Sequence, residues 1–265
     1  MAARVEKLTS DIAWSTPDRI VVKGQDLCGD LLGKQSLGDV AFLIMTDRLP
    51  TSENESVMFN ALAVTLIEHG MTPSAIATRM TVTGAPEAMQ AAIAAGLAGL
   101  GSVFVGSMET AAHLLQDAVP DPTAPVDVDG LASEVVTELR SRKAQVPGIG
   151  HPVHKPVDPR AVRLFELAEE TGFSGPYVAL MQRIAAVAGE RAGRELPVNA
   201  TGAIASIASE MGISWTVIRG IGVISRCIGL VGHVREELTN PIAREITARV
   251  GRETSEAAIR ASEQR

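Results

Sequence analysis

Apolar positions recur along this chain at three- and four-residue intervals, interrupted by Pro and Gly, which predicts a series of helices. Leu27, Leu31 and Leu32, then Val40, Phe42, Leu43 and Met45, predict one or two short helices within residues 25–48, stopped at Leu49-Pro50. Thr51 or Ser52 followed by Glu53 and Glu55 reads as a capped start of an apolar helix that ends near His69-Gly70, placing His69 at a helix C-terminus. Pro73 opens the next segment. Pro86-Glu87 opens another that runs toward Gln116 through a Gly-rich interruption from Gly99 to Gly106. After the rigid connector 119–125, helices are expected from Leu131 to Lys143, from Pro159 to a C-terminal cap at Gly172, and over 176–192, 202–211 and 214–237. The stretch Val146-Pro-Gly-Ile-Gly-His-Pro cannot be helical. No convincing alternation marks a strand series, so the fold class expected is all-α, without internal repeats.

Composition narrows the packing and the partners. Of the 265 residues 46% are hydrophobic, enough for a sizeable core, yet only 3% are aromatic, so the core must be built from small and aliphatic side chains. A formal net charge of −7 argues against a nucleic-acid coat or an anionic membrane as partner. An anionic ligand would need locally placed basic residues. Two cysteines, Cys28 and Cys227, and a start without an apolar signal core make the cytoplasm the expected compartment. The apolar stretches 91–107 and 217–232 are rich in Ala and Gly or broken by Arg219 and Arg226, and read as buried helices rather than membrane spans.

Chemistry concentrates in one loop. Val146-Pro-Gly-Ile-Gly-His151-Pro-Val-His154-Lys155-Pro-Val-Asp158-Pro-Arg160 presents two His, a Lys and an Arg beside a helix N-terminus, a setting for an anion; the alternative is a mere turn between helices with Arg160 paired to a surface acid. Pro152 prevents a helical His151/His154 metal pair, and no metal is expected. Arg226 lies in an otherwise apolar helix and must meet an internal carboxylate or a bound anion, because a lone buried guanidinium is very costly. His233, seven residues on, shares its face and reads equally as a satisfied core histidine; His69 reads as a ligand group or as a helix cap. The run 99–106 lacks a following Lys and a preceding strand, so it is no phosphate loop.

Together the Pro-Gly-Ile-Gly-His-Pro-Val-His run with Asp158-Pro-Arg160, Glu68-His69-Gly70, Arg226 in Ile-Ser-Arg-Cys-Ile-Gly, and Gly232-His233 with Glu236-Glu237 resemble the citrate synthase superfamily in its short, citryl-CoA lyase-like form. The likeness runs from the Gly24-Gln-Asp-Leu segment to Arg244. It implies a large helical domain from 1–145 and 213–265, a small one over 146–212, and a homodimer with composite sites. It also implies that His69, His151, Arg160 and Arg226 bind a citrate-like moiety, with Arg244 reaching over from the partner subunit. Coenzyme A, carried as the acyl-CoA substrate, would meet Arg140, Arg142, Lys143 and Lys155; without ATP-grasp modules no ATP use is expected.

Departures from the family pattern bear on the reaction. Phe104 stands where citrate synthases carry a His that stabilises the enolate, as in lyase modules, and Val105 stands where the family prefers Gly. The family's Asn-Val-Asp-Gly reads Asn199-Ala200-Thr201-Gly202, and Thr cannot be a general acid or base near neutral pH. The resemblance thus implies a carbon–carbon lyase acting on a citrate-like 3-hydroxyacyl-CoA to give an oxo acid such as oxaloacetate, with catalytic positions His69, His151 and Thr201. Thr201 would position a water, or Glu109 would protonate the enolate. The alternatives are a thioester hydrolase or decarboxylase on the same scaffold, or a non-catalytic acyl-CoA or polycarboxylate-binding protein.

Overall fold

The computed structural model describes residues 8–150 and 156–263. The chain is helical almost throughout, as the periodicity predicts, and divides into two compact units: Met1–Leu62 with Thr110–Ile218, and Ala63–Glu109 with Arg219–Arg265.

The first unit opens with the only sheet among the described residues. Strands β1 (Ala13–Ser15), β2 (Ile20–Val22) and β3 (Gln25–Asp26) form a small antiparallel meander in which Trp14 faces Val21. Each strand is too short to produce a readable alternation, which is why the sequence pattern hid it. Within 25–48 the first expected helix is a single wide turn over Leu27–Leu31 capped by Asp26; the second is α1 (Leu37–Thr46), opened by a Ser36/Asp39 capping box. Helix α2 (Glu53–Thr65) starts where Ser52 and the acidic pair predict, with Glu55 clamped by Arg48 at 2.6 and 2.8 Å. It ends four residues before His69, so the helix-cap reading of that histidine is corrected: Leu66 and Ile67 tighten onto the carbonyls of Ala63 and Val64 and the chain leaves the helix.

Helices α6 (Val128–Ser141), α7 (Pro159–Thr171), α8 (Pro176–Ala192) and α9 (Ala200–Glu210) complete this unit, α9 packing on both α7 and α8. Nearly every residue of α9 from Gly202 to Ser209 is buried, so it is the unit's central helix, and its small side chains let neighbours approach from all sides. Glu210, at its end, accepts hydrogen bonds from the Tyr177 and Val178 amides and so caps α8.

The second unit holds α3 (Pro73–Gly84), α4 (Met89–Ala98), the wide turn Gly101–Val105 with residues 106–109 of α5 (Gly106–Ala118), residues 219–239 of α10 (Trp215–Thr239), and α11 (Ala243–Glu263), a mostly exposed helix that the sequence reading did not anticipate. Glycines set its packing distances. A Cβ on Gly96 would lie 2.0 Å from Thr78 Oγ1, and one on Gly229 2.0 Å from the Ile67 carbonyl, so α4 and α10 lie backbone-close to their neighbours. By length and apolarity α10 could cross a membrane, but half of its apolar window is buried in protein and it carries the charged groups described next.

Candidate functional site

Two polar clusters stand out, one in each unit. In the first, the loop at 146–150 lies against the start of α9. Gly150 N donates to Pro197 O (2.7 Å), Asn199 N to Gly148 O (2.9 Å), and Asn199 Nδ2 to Gly150 O (2.7 Å). A Cβ on Gly202 would sit 2.2 Å from the Gly148 carbonyl, and one on Gly148 2.6 Å from Gly202 Cα. The Pro-Gly-Ile-Gly and Asn-Ala-Thr-Gly segments are therefore mated through their glycines, and Gly148 additionally needs its positive φ of 80°.

Asp158 joins the same cluster. Its side chain is 1% exposed and accepts from Arg160 Nε (3.0 Å), Arg160 Nη2 (2.8 Å), the Arg160 amide (3.1 Å) and the Ala200 amide (3.0 Å). Burial pushes its carboxyl up, but the Arg160 guanidinium and the Ala200 amide outweigh this and hold it below the usual carboxylate range. Arg160 is thus neither free nor paired on the surface; it is oriented by a buried acid that also ties α7 to α9. The Thr201 hydroxyl donates to Asn199 Oδ1 (2.7 Å) and completes the N-terminal cap of α9. Beside this cluster, α7, α8 and residues 193–198 line an open pocket of about 770 Å³ whose lining is mainly apolar, with Arg194, Glu190 and Glu195 among its polar residues.

In the second unit, α10 presents Arg226 and His233 toward the segment after α2. Arg226 is 9% exposed; its Nη1 lies 3.6 Å from Glu68 Oε1 and makes no hydrogen bond. Burial draws its guanidinium below the ordinary value, against the pull of Glu68. His233 Nε2 is 3.1 Å from Glu68 Oε2 but off-line for a hydrogen bond. Glu68 itself accepts from the His69 amide (2.8 Å); burial raises its carboxyl, and that amide together with His233 and Arg226 outweighs the effect and keeps it low. Behind His233 lies Arg79 of α3, 2% exposed, whose Nε donates to His233 Nδ1 (3.0 Å) and whose Nη1 and Nη2 meet Glu237 (3.0 Å) and Glu236. Glu237 in turn accepts from the Ile242 and Ala243 amides at 3.0 and 2.8 Å, capping α11.

The expected site residues distribute between these clusters. Arg160 and Thr201 belong to the first, and Arg226 and His69, the chain neighbour of Glu68, to the second. Arg244, in the first turn of α11, lines a separate 480 Å³ pocket with Met80 and Thr83. At the end of α6, Arg140 donates to the Arg191 carbonyl (2.8 Å) and Arg142 pairs with Glu138, while Lys143 follows with φ 53°. Phe104 is half exposed, and Glu109 pairs with Arg219. His151, His154 and Lys155 lie outside the described residues. Among the described residues no three His, Cys, Asp or Glu side chains gather as metal ligands.

Sequence reasoning missed Arg79. A signal existed: with Ala75, Thr78 and Val82 it sits at the one-turn spacing that marks the buried face of α3, where a charged residue implies an internal partner.

A glycine-mated loop beside an Asp-Pro-Arg helix start, and a buried arginine on a long apolar helix, are the marks of one class of all-helical fold. Residues 40–247 match the family of the citrate synthase C-terminal domain, and the chain belongs to that family. Its structure superposes on a citryl-CoA lyase from Hydrogenobacter thermophilus with a TM-score of 0.79 and 35% identity, over 89% of this chain and 88% of that one. It also superposes on an ATP citrate lyase mutant from Methanosaeta concilii, in complex with (3S)-citryl-CoA, with a TM-score of 0.71 and 19% identity, over 89% of this chain and 39% of that one. An alkylcitrate synthase of Talaromyces stipitatus is 26% identical over 201 residues, 74% of this chain and 44% of that protein. A probable ATP-citrate synthase of Dictyostelium discoideum is 23% identical over 259 residues, 90% of this chain and 40% of that protein. The chain thus spans less than half the length of these curated relatives.

Proposed function

We propose that the protein is a carbon–carbon lyase of the citryl-CoA type, cleaving a citrate-like 3-hydroxyacyl-CoA into an oxo acid and a shorter acyl-CoA. The observation that carries this reading is the buried, incompletely paired guanidinium of Arg226, a donor suited to a substrate carboxylate, in a chain 35% identical to the citryl-CoA lyase from Hydrogenobacter thermophilus.

The reaction asks three things of the chain. Carboxylates must be held, for which Arg160, Arg226, His69, His151 and, from a second subunit, Arg244 are the proposed donors. The carbinol proton must leave as the carbon–carbon bond breaks, so that the electron pair of that bond becomes an acyl-CoA enolate. A proton must then reach the enolate carbon. His151 is the proposed base for the first transfer. Thr201 caps a helix with its hydroxyl and has no acid to give, so its proposed role is to hold a water at the start of α9. The 770 Å³ pocket, mainly apolar in its lining, is the proposed seat of the apolar parts of coenzyme A, with Arg140, Arg142, Lys143 and Lys155 as the cationic candidates for its phosphates.

The proposed assembly is a homodimer built on a large domain, 1–145 with 213–265, and a small domain, 146–212. An exposed apolar stripe on α10, Ile224, Ile228, Val231 and Leu238, supports a subunit contact. A cytoplasmic setting accords with the acidic, disulfide-free chain. The presence of Thr201 in place of an acid favours one second reading: the same pocket used for thioester hydrolysis, decarboxylation or binding alone. Incubating the protein with citryl-CoA and a panel of related 3-hydroxyacyl-CoAs under mass-spectrometric detection separates these. A shorter acyl-CoA with an oxo acid supports the lyase; free CoA alone means hydrolysis, and binding without turnover means a binding protein.

A further inference from the structure

Resting on the proposed polycarboxylate site, we propose that Arg79 is a positioning residue that fixes His233 with its ring proton on Nε2. His233 Nε2 and Arg226 Nη1 then present two buried donors to one carboxylate of the ligand.

An arginine side chain carries donors only. Because Arg79 Nε points at His233 Nδ1 from 3.0 Å, Nδ1 must accept, and the ring proton of this tautomer resides on Nε2. Arg79 cannot drift from this role: Glu237 holds its Nη1 and Glu236 its Nη2, and Glu237 is itself fixed by the first amides of α11. A chain of contacts thus runs from α11 through Glu237 and Arg79 to the imidazole.

What the imidazole presents is a donor without a proper acceptor. His233 Nε2 and Arg226 Nη1 are both buried and both without a hydrogen bond, and both face the carboxylate of Glu68 at 3.1 and 3.6 Å. Glu68 occupies their space without satisfying them, since the His69 amide also holds it and its side chain is 41% exposed. Gly229 makes the room: a Cβ there would come within 2.9 Å of Glu68 Oε2. Two convergent unsatisfied donors, one cationic and one neutral, suit a carboxylate better than a phosphate dianion, which would call for a second cation. The charged groups in contact with the imidazole are Arg79 from α3 and Glu68 from the segment after α2; of the charges on α10, Glu236 and Glu237 hold Arg79, and Arg226 faces Glu68.

The test uses the 265-residue protein with ¹⁵N-labelled histidine, the His233 ring signals being assigned by their loss in His233→Gln. The expected spectrum near neutral pH shows His233 with Nδ1 bare and Nε2 protonated, and Arg79→Lys or Arg79→Met shifts it toward a mixture of tautomers. Citrate binding is measured by calorimetry alongside. His233→Phe is expected to weaken it about ten- to a hundredfold, the loss of one hydrogen bond to a charged group, while His233→Gln, which keeps a donor near the Nε2 position, stays within about threefold of wild type. A wild-type His233 protonated on Nδ1 overturns the positioning role, and unchanged citrate affinity in His233→Phe overturns the donor role. If wild-type protein binds no citrate, the polycarboxylate reading fails by itself, and the spectrum still decides whether Arg79 sets the tautomer.

Discussion

Replacing Asp158 removes the acceptor that holds together three parts of the first cluster. In the wild-type protein its two oxygens take four donors, from the Arg160 side chain, the Arg160 amide and the Ala200 amide. Asp158→Ala leaves the Ala200 amide buried without a partner, at about 1–3 kcal/mol, and strips Arg160 of its counter-charge. Arg160 is 26% exposed and can turn toward water, so the ion-pair part of the loss is discounted and the whole is set at roughly 2–4 kcal/mol. At about 2–4 °C per kcal/mol for a chain of this size, that is a fall in Tm of about 4–16 °C. Asp158→Asn keeps one acceptor and is expected to lose about half as much. The pH dependence follows from the depressed carboxyl: its stabilisation is present above the unfolded value of about 4 and disappears as pH falls through the lower folded value. Urea titrations of wild type and Asp158→Asn should therefore converge as pH drops below about 4. An Asp158→Ala protein that unfolds within about 0.5 kcal/mol of wild type at pH 7 would refute the reasoning, because surface substitutions commonly change no more than that.

Three further outcomes are expected. Gly202→Ala forces a methyl to within 2.2 Å of the Gly148 carbonyl, a backbone atom, and should cost about 1–3 kcal/mol in urea unfolding while shifting the amide resonances of 146–150. Arg226→Lys should weaken citrate binding at least about tenfold in calorimetry, because an ammonium cannot reproduce the guanidinium fork. Thr201→Asp places a carboxylate in the first turn of α9, where the helix dipole favours it, so stability should hold or rise by about 0.5 kcal/mol. If proton delivery to the enolate limits the rate, the same variant should speed citryl-CoA cleavage about 100-fold or more in a stopped assay.

Much of this architecture was legible in the chain because its punctuation is local. Pro73, Pro159 and Pro176 each sit at the first position of a helix, Gly172 closes α7 with φ 86°, and the loop at 146–150 is non-helical as its prolines and glycines require. The meander at 13–26 was not legible, since three-residue strands carry no period, and α11 was not, since an exposed polar helix lacks an apolar stripe strong enough to read. The site shows the same division. Arg226 announced itself as a charge in an apolar helix, and of the two partners it called for the internal carboxylate is there: Glu68 lies near, while one N–H stays unsatisfied. Arg160 gave no hint that Asp158, two residues away, was its buried orienting partner rather than a surface acid. Arg79 meets His233 across 154 residues of sequence, a pairing that no local pattern encodes.

The most direct test of the account is single-turnover incubation of citryl-CoA with wild-type protein and with Arg226→Ala, products being quantified by mass spectrometry. The account predicts acetyl-CoA and oxaloacetate in equal amounts from wild type, and a rate at least about 100-fold lower from the variant, in which the buried donor to the substrate carboxylate is gone. Citrate with free CoA, or equal rates from the two proteins, would contradict it.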